Sequence, residues 1–148
     1  MSYVTQQLDD GSYRIVESAS NATIFEADAN SKSFGTKVAT VARTNTTAKN
    51  LFTLPANAIP ISVSIYSGTA SDAATTATVS VGKTGTNTYF VNAQDVKGVS
   101  GQIPCAAAAN LGASVGTSSI QVVGIYAETG TASTTGGPFT VIMSYYLA

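Results

Sequence analysis

The stretch VGKTG places Gly82, Lys83 and Thr84 in the order that ends a phosphate-binding loop, where backbone N–H groups and a lysine cradle phosphate oxygens. The full pattern needs another glycine five residues before the Gly-Lys pair, and that position holds Ala77. A phosphate loop also opens a helix, whereas a strand-like run follows here, so nucleotide chemistry is not expected. Glu26, Asp28 and Asn30 alternate like the first ligands of a calcium loop. Ser31 stands where the turn needs glycine and Lys37 where it needs a bidentate glutamate, so these read as solvated carboxylates. No metal site and no cofactor is expected.

The chain contains no histidine, which removes the usual general base near neutral pH and with it most triads and zinc sites. Cys105 is the only cysteine. Without a histidine to activate it, it reads as a small packed residue rather than a nucleophile. No spacing among the eight acidic residues marks a glycosidase-like carboxylate pair. No catalytic residue is assigned, and the expectation is a protein that is not an enzyme. Tyr66, Tyr126, Tyr145 and Tyr146 sit in or beside strand-like runs. Cross-strand packing and a contact surface are both open to them, and Tyr66, Tyr126 and Tyr146 are the candidate partner contacts.

Composition narrows the classes further. Charged residues make up 10% of the 148, against roughly 25% in an average soluble protein, and they are scattered. No Lys/Arg cluster offers itself to phosphates or anionic lipid, so neither nucleic acid nor membrane is an expected partner. A single cysteine excludes an intrachain disulfide, and MSYVTQQLDDGSYR lacks the basic start and apolar run of a secretory signal. Folding in a reducing cytosol is expected. The Asn21 and Asn45 sequons carry no weight in so Thr-rich a chain.

The elements that must position any surface are strands. TKVATVAR, NLFTLP, IPISVSIYSG, ATVSVG, NTYFVNA, SSIQVVGIYAE and PFTVIMSYYLA alternate apolar and polar residues or carry apolar residues on both phases. Turn-rich links such as TASDAATT and KTGTN separate them. Residues 94–118 read as a long connection holding one helical turn at Ala106 to Ala109. About eight short strands without βαβ spacing predict an all-β, jelly-roll-like sandwich or barrel over 36–148. Residues 1–35 are weakly periodic and read as an arm or edge segment. Tyr3, Val4, Leu8, Tyr13 and Ile15 are its candidate anchors on a partner, with SYRIV as the first strand of the main sheet as the alternative.

The run LFTLPANAIPISVSIYSGTASDAATTATVSVGKTGTNTYFVNAQDV and the closing FTVIMSYYLA resemble head decoration, or cement, proteins of tailed bacteriophages. The shared marks are an LPANA-like corner before a strand, a VSVG-TG hairpin, YFVNAQDV and an aromatic final strand. The resemblance implies a jelly-roll-like domain, made in the host cytoplasm. It would bind the outer surface of an assembled capsid as an oligomer, a trimer favoured, and link neighbouring capsomers through the major capsid protein. A fibre or adhesin-type module binding host saccharide would share the all-β composition.

Chelators and reductants are expected to leave thermal melting unchanged. A shift of several degrees with chelator would instead assign calcium to Glu26, Asp28 and Asn30.

Overall fold

A computed structural model describes residues 3–7, 13–17, 23–27, 34–105 and 107–147. The chain divides into two units, Met1–Ser33 and Phe34–Ala148. In the first, β1 (Tyr3–Gln7), β2 (Tyr13–Glu17) and β3 (Thr23–Ala27) form a three-stranded antiparallel sheet in chain order. Thr5, Ile15 and Phe25 stand in one cross-strand row. This meander is a third arrangement beside the arm and the first strand of the main sheet. Leu8, Asp28 and Asn30 lie outside the described residues.

The second unit is built from β4 (Phe34–Val41), β5 (Lys49–Leu54), β6 (Ala58–Ser67), β7 (Thr76–Lys83), β8 (Thr86–Asp95), β9 (Gly101–Pro104), β10 (Ile120–Thr129) and β11 (Phe139–Leu147). They form two four-stranded antiparallel sheets, β4-β11-β6-β9 and β5-β10-β7-β8. The first strand of this unit pairs with the last, the second with the seventh, the third with the sixth, and the fourth with the fifth. These nested pairs are one long hairpin wound into a sandwich, the jelly-roll arrangement. No helix occurs among the described residues.

Period-two alternation gives each sheet its inner face. In β11, Phe139, Val141 and Met143 are fully buried and face Val63 and Ile65 of β6 and Leu54, Val79, Val81 and Val122 of the opposite sheet. Full burial of side chains of this size contributes roughly 1.5–3 kcal/mol each relative to exposure. The LPANA corner is the link between β5 and β6. Asn57 adopts a left-handed φ of 61°, which asparagine tolerates better than most residues, and donates its N–H to the Gly116 carbonyl at 2.8 Å. Pro60 is accommodated inside β6 because β9 reaches only Ser64–Ser67, leaving β6 an edge at that point. The strand β9 itself lies within the region read as a connection. It has four residues and one inward apolar side chain, Ile103, between a glycine and a proline.

At one end of the sandwich the loops 42–48, 68–75, 96–100 and 130–138 are tied together. Tyr126, expected at a contact surface, is the centre of this tie and is wholly buried. Its ring stacks on Phe139 at 5.5 Å, and its hydroxyl donates to Glu128 Oε2 at 2.7 Å and lies 2.9 Å from Ser71 Oγ. The sequence runs apolar on both phases of β10, so alternation could not tell this inward tyrosine from an outward one. Burial pushes the Tyr126 phenol up, while hydrogen bonds from Ser133 and Tyr126 hold the Glu128 carboxyl below its usual range. Arg43 Nη1 donates to the Ser133 carbonyl. Asp72 accepts the N–H groups of Thr134 and Thr135, both at 2.9 Å, and the Thr134 hydroxyl at 2.7 Å. Lys97 Nζ donates to the carbonyls of Ala74 at 2.8 Å and Thr75 at 3.1 Å.

Two outcomes follow from this packing. A Cβ on Gly82 would lie 2.1 Å from the Thr86 carbonyl oxygen and 2.3 Å from the Asn87 carbonyl carbon, whereas one on Gly68 would meet nothing. Gly82→Ala should therefore lower stability by about 1–3 kcal/mol or more in denaturant titrations, with Gly68→Ala close to neutral. The Thr135 N–H and the Thr134 hydroxyl hold the Asp72 carboxyl at about 2, below its ordinary 3.8. A carboxyl depressed in the fold stabilises above its unfolded value and loses that contribution as pH falls through the folded one. The melting-temperature gap between wild type and Asp72→Ala should hold from neutral pH to about 4 and close towards 2. A gap that persists at pH 2 would show that Asp72 acts otherwise than through its charge.

Candidate functional site

The residues singled out for chemistry are placed in structural roles. Lys83 ends β7, and the chain turns through Thr84 and Gly85, with φ of 84°, straight into β8. Its ammonium lies 4.1 Å from the centre of the Tyr89 ring, a cation–π contact within a hairpin. Cys105 is buried beside Ile103, and desolvation pushes its thiol up to about 11, which keeps it protonated and unreactive at neutral pH.

The surface that distinguishes the molecule is the outward face of the β4-β11-β6-β9 sheet. Alternation turns Phe34, Thr36, Val38 and Thr40 of β4 outward, and Lys37, Ala39 and Val41 towards the interior. On β11 the outward set is Thr140, Ile142, Ser144 and Tyr146. Cross-strand register then makes rows. Val38, Ile142 and Ser64 form one, Thr40, Thr140 and Tyr66 a second, and Phe34, Tyr146 and Ile59 a third. The rings of Phe34 and Tyr146 are 5.9 Å apart and tilted by 51°. A bulge in β6 leaves Ile61 without a partner on β11, so Ile61 and Ser62 are both exposed.

The result is an uncharged surface on which large apolar side chains stand among serine and threonine. The large hydrophobic residues exposed among those described are Phe34 at 74%, Val38 at 59%, Tyr66 at 49%, Ile61 at 41% and Val99 at 38%, and all but Val99 are on this face. Its outward positions carry no Asp, Glu, Lys or Arg. Large hydrophobic side chains exposed together on one uncharged face mark an interaction site more often than they are left bare.

Of the tyrosines proposed from sequence as partner contacts, the structure brings Tyr66 and Tyr146 to this face and removes Tyr126 to the core. Tyr145 points the other way and covers Gly35, where a Cβ would lie 2.6 Å from its ring. Tyr3, Val4, Tyr13 and Ile15 lie in β1 and β2 of the separate first unit. Phe34, Val38 and Ile61 were missed. Phe34 and Val38 share the phase opposite to Val41 in FGTKVATV, a signal present in the sequence, but the outward turn of Ile61 depends on a bulge that no residue type announces.

No family model and no curated protein matches this chain. Among solved structures, it is similar to a chain of the cyanophage Pam1 capsid asymmetric unit at 24% identity and a TM-score of 0.63, covering 90% of this chain and 98% of that one. It is also similar to a chain in the acidic stable capsid structure of Helicobacter pylori bacteriophage KHP30, at 20% identity and a TM-score of 0.56, covering 79% of this chain and 92% of that one. The likeness is one of fold: the jelly-roll sandwich described above is shared, over nearly their whole length, with a chain in each of two phage capsid structures.

Proposed function

We propose that this protein is a non-enzymatic phage structural protein that binds the outer capsid surface as an oligomer and stabilises the shell by linking capsomers. The observation that carries the reading is the correspondence of 90% and 79% of this chain with chains in two phage capsid structures, of which 98% and 92% are covered. Neighbours covered to that extent are small chains like this one. A large uncharged sheet face and a rigid loop end fit a part that must hold rather than turn over substrate. Several weak contacts joined in one oligomer gain ~10²–10⁴ in avidity without new chemistry. The major capsid protein is the proposed partner, a trimer the favoured state, and the virion exterior the location after synthesis in the host cytoplasm.

The first unit supplies the proposed attachment. A three-stranded sheet of this size has little core of its own, and the chain's single cysteine lies in the other unit. Covering it against the capsid or a neighbouring protomer would supply what it lacks, with Tyr3, Val4, Leu8, Tyr13 and Ile15 among the contacts.

Protein identification in the purified virion should find the chain at a fixed copy number relative to the major capsid protein, and stripped shells should become less heat-stable and regain stability when it is added back. Absence from the virion would overturn the proposal. Residues 34–148 alone should fold yet sediment with shells much more weakly than the full chain.

A further inference from the structure

We propose that the outward face of the β4-β11-β6-β9 sheet is covered by a second copy of this chain, so that it joins protomers and leaves the shell contact to other surfaces. The inference rests on the oligomeric decoration role proposed above, and because the same face of two copies meets in a twofold contact, it takes a dimer in place of the trimer favoured there.

Charge is the first reason. The charged side chains of the sandwich lie off this face: Lys37 in the interior-facing row of β4, Arg43, Asp72, Lys97 and Glu128 at the loop end, and Lys49, Lys83 and Asp95 on the other sheet. An uncharged surface is complementary to another uncharged surface, and on the sandwich the nearest one to hand is the same face of a second copy. Charge depletion also separates kinds of contact. Permanent contacts between identical chains are the more apolar and resemble a core cut in half, whereas docking onto a preformed partner uses surface of average polarity.

Area is the second reason. The strands β4, β11, β6 and β9 have eight, nine, ten and four residues. At ~3.4 Å per residue and ~4.8 Å between strands they give a face of roughly 500 Å². Two copies would bury roughly 1,000 Å² in total, the size a biological interface has to clear.

The edges of the sheet direct association to its face. Lys37 sits half-buried in the interior-facing row of the edge strand β4, and Lys49 Nζ donates to the Thr40 carbonyl at 2.9 Å. The other edge, β9, is four residues long and ends in Pro104. Charged, short and proline-bearing edges discourage strand addition. On the face, small residues such as Ser62, Ser64 and Thr36 alternate with the projecting Phe34, Val38 and Tyr66, leaving gaps into which a partner's side chains fit.

Sedimentation velocity on the full chain, with Val38→Glu and Tyr66→Glu, tests this. Wild type should be an oligomer at micromolar concentration, and each variant should self-associate at least tenfold more weakly with an unchanged circular dichroism spectrum. Should either glutamate disturb folding, Val38→Cys treated with a bifunctional maleimide should give covalent multimers, since Cys105 is buried. A monomeric wild type, variants that associate like wild type, or no cross-linking at Val38→Cys would overturn the inference. Shell co-sedimentation separates it from the decoration role. An oligomer broken by these variants that never binds shells upholds the contact face and sinks the role. Variants that stay oligomeric but lose shell binding assign the face to the shell and overturn the inference, leaving the role intact.

Discussion

The sandwich depends on where its last strand lies. β11 is inserted between β4, the first strand of the unit, and β6, the third, and its ladders to both run almost its full length. Its inward side chains, Phe139, Val141 and Met143, are wholly buried and touch what both sheets contribute to the core. Phe139 also carries the stacked Tyr126, whose hydroxyl gathers Ser71, Glu128 and Ser133 from the loop end. One strand therefore fixes the width of a sheet, the depth of the core and the foundation of the loops. Its outward side chains, Ile142 and Tyr146 among them, form the centre of the uncharged face.

Interior and exterior solve different problems with the same residue types. The buried polar groups of the loop end are satisfied, and no buried side-chain nitrogen or oxygen among the described residues lacks a partner. That is the condition under which polar groups rigidify a fold instead of weakening it. On the sheet face, serine and threonine keep a surface rich in large hydrophobic groups hydrated without adding charge. The low charge content of the sequence thus has a location, since the outward positions of β4, β11, β6 and β9 contribute none of it.

Most of the sandwich was legible because its long strands carry period-two patterns. The elements at Ala58–Ser67, Ile120–Thr129 and Phe139–Leu147 stand where alternation placed them. Beyond the β7–β8 hairpin, pairing order was not legible. It arises from contacts between residues from about 35 to about 110 positions apart, and no local pattern specifies them. β9 escaped because four residues with one inward side chain give alternation nothing to repeat. The contact face was half legible. Tyr66 and Tyr146 were named on residue type, but Tyr126 has the same type and the opposite environment, and Phe34 and Val38 were passed over although they share the phase opposite to Val41.

The nested pairing also orders the events of folding. β7 and β8 join across the two-residue turn Thr84-Gly85 and close at small entropic cost, whereas β4 and β11 meet only after nearly the whole unit between them has been brought together. β4 is an edge strand, and its ladder to β11 closes the longest span of chain in the unit. It also carries Phe34 and Val38. Any partner seated on those side chains would clamp the contact of greatest sequence separation in the fold, coupling the lifetime of the folded chain to the lifetime of the assembly.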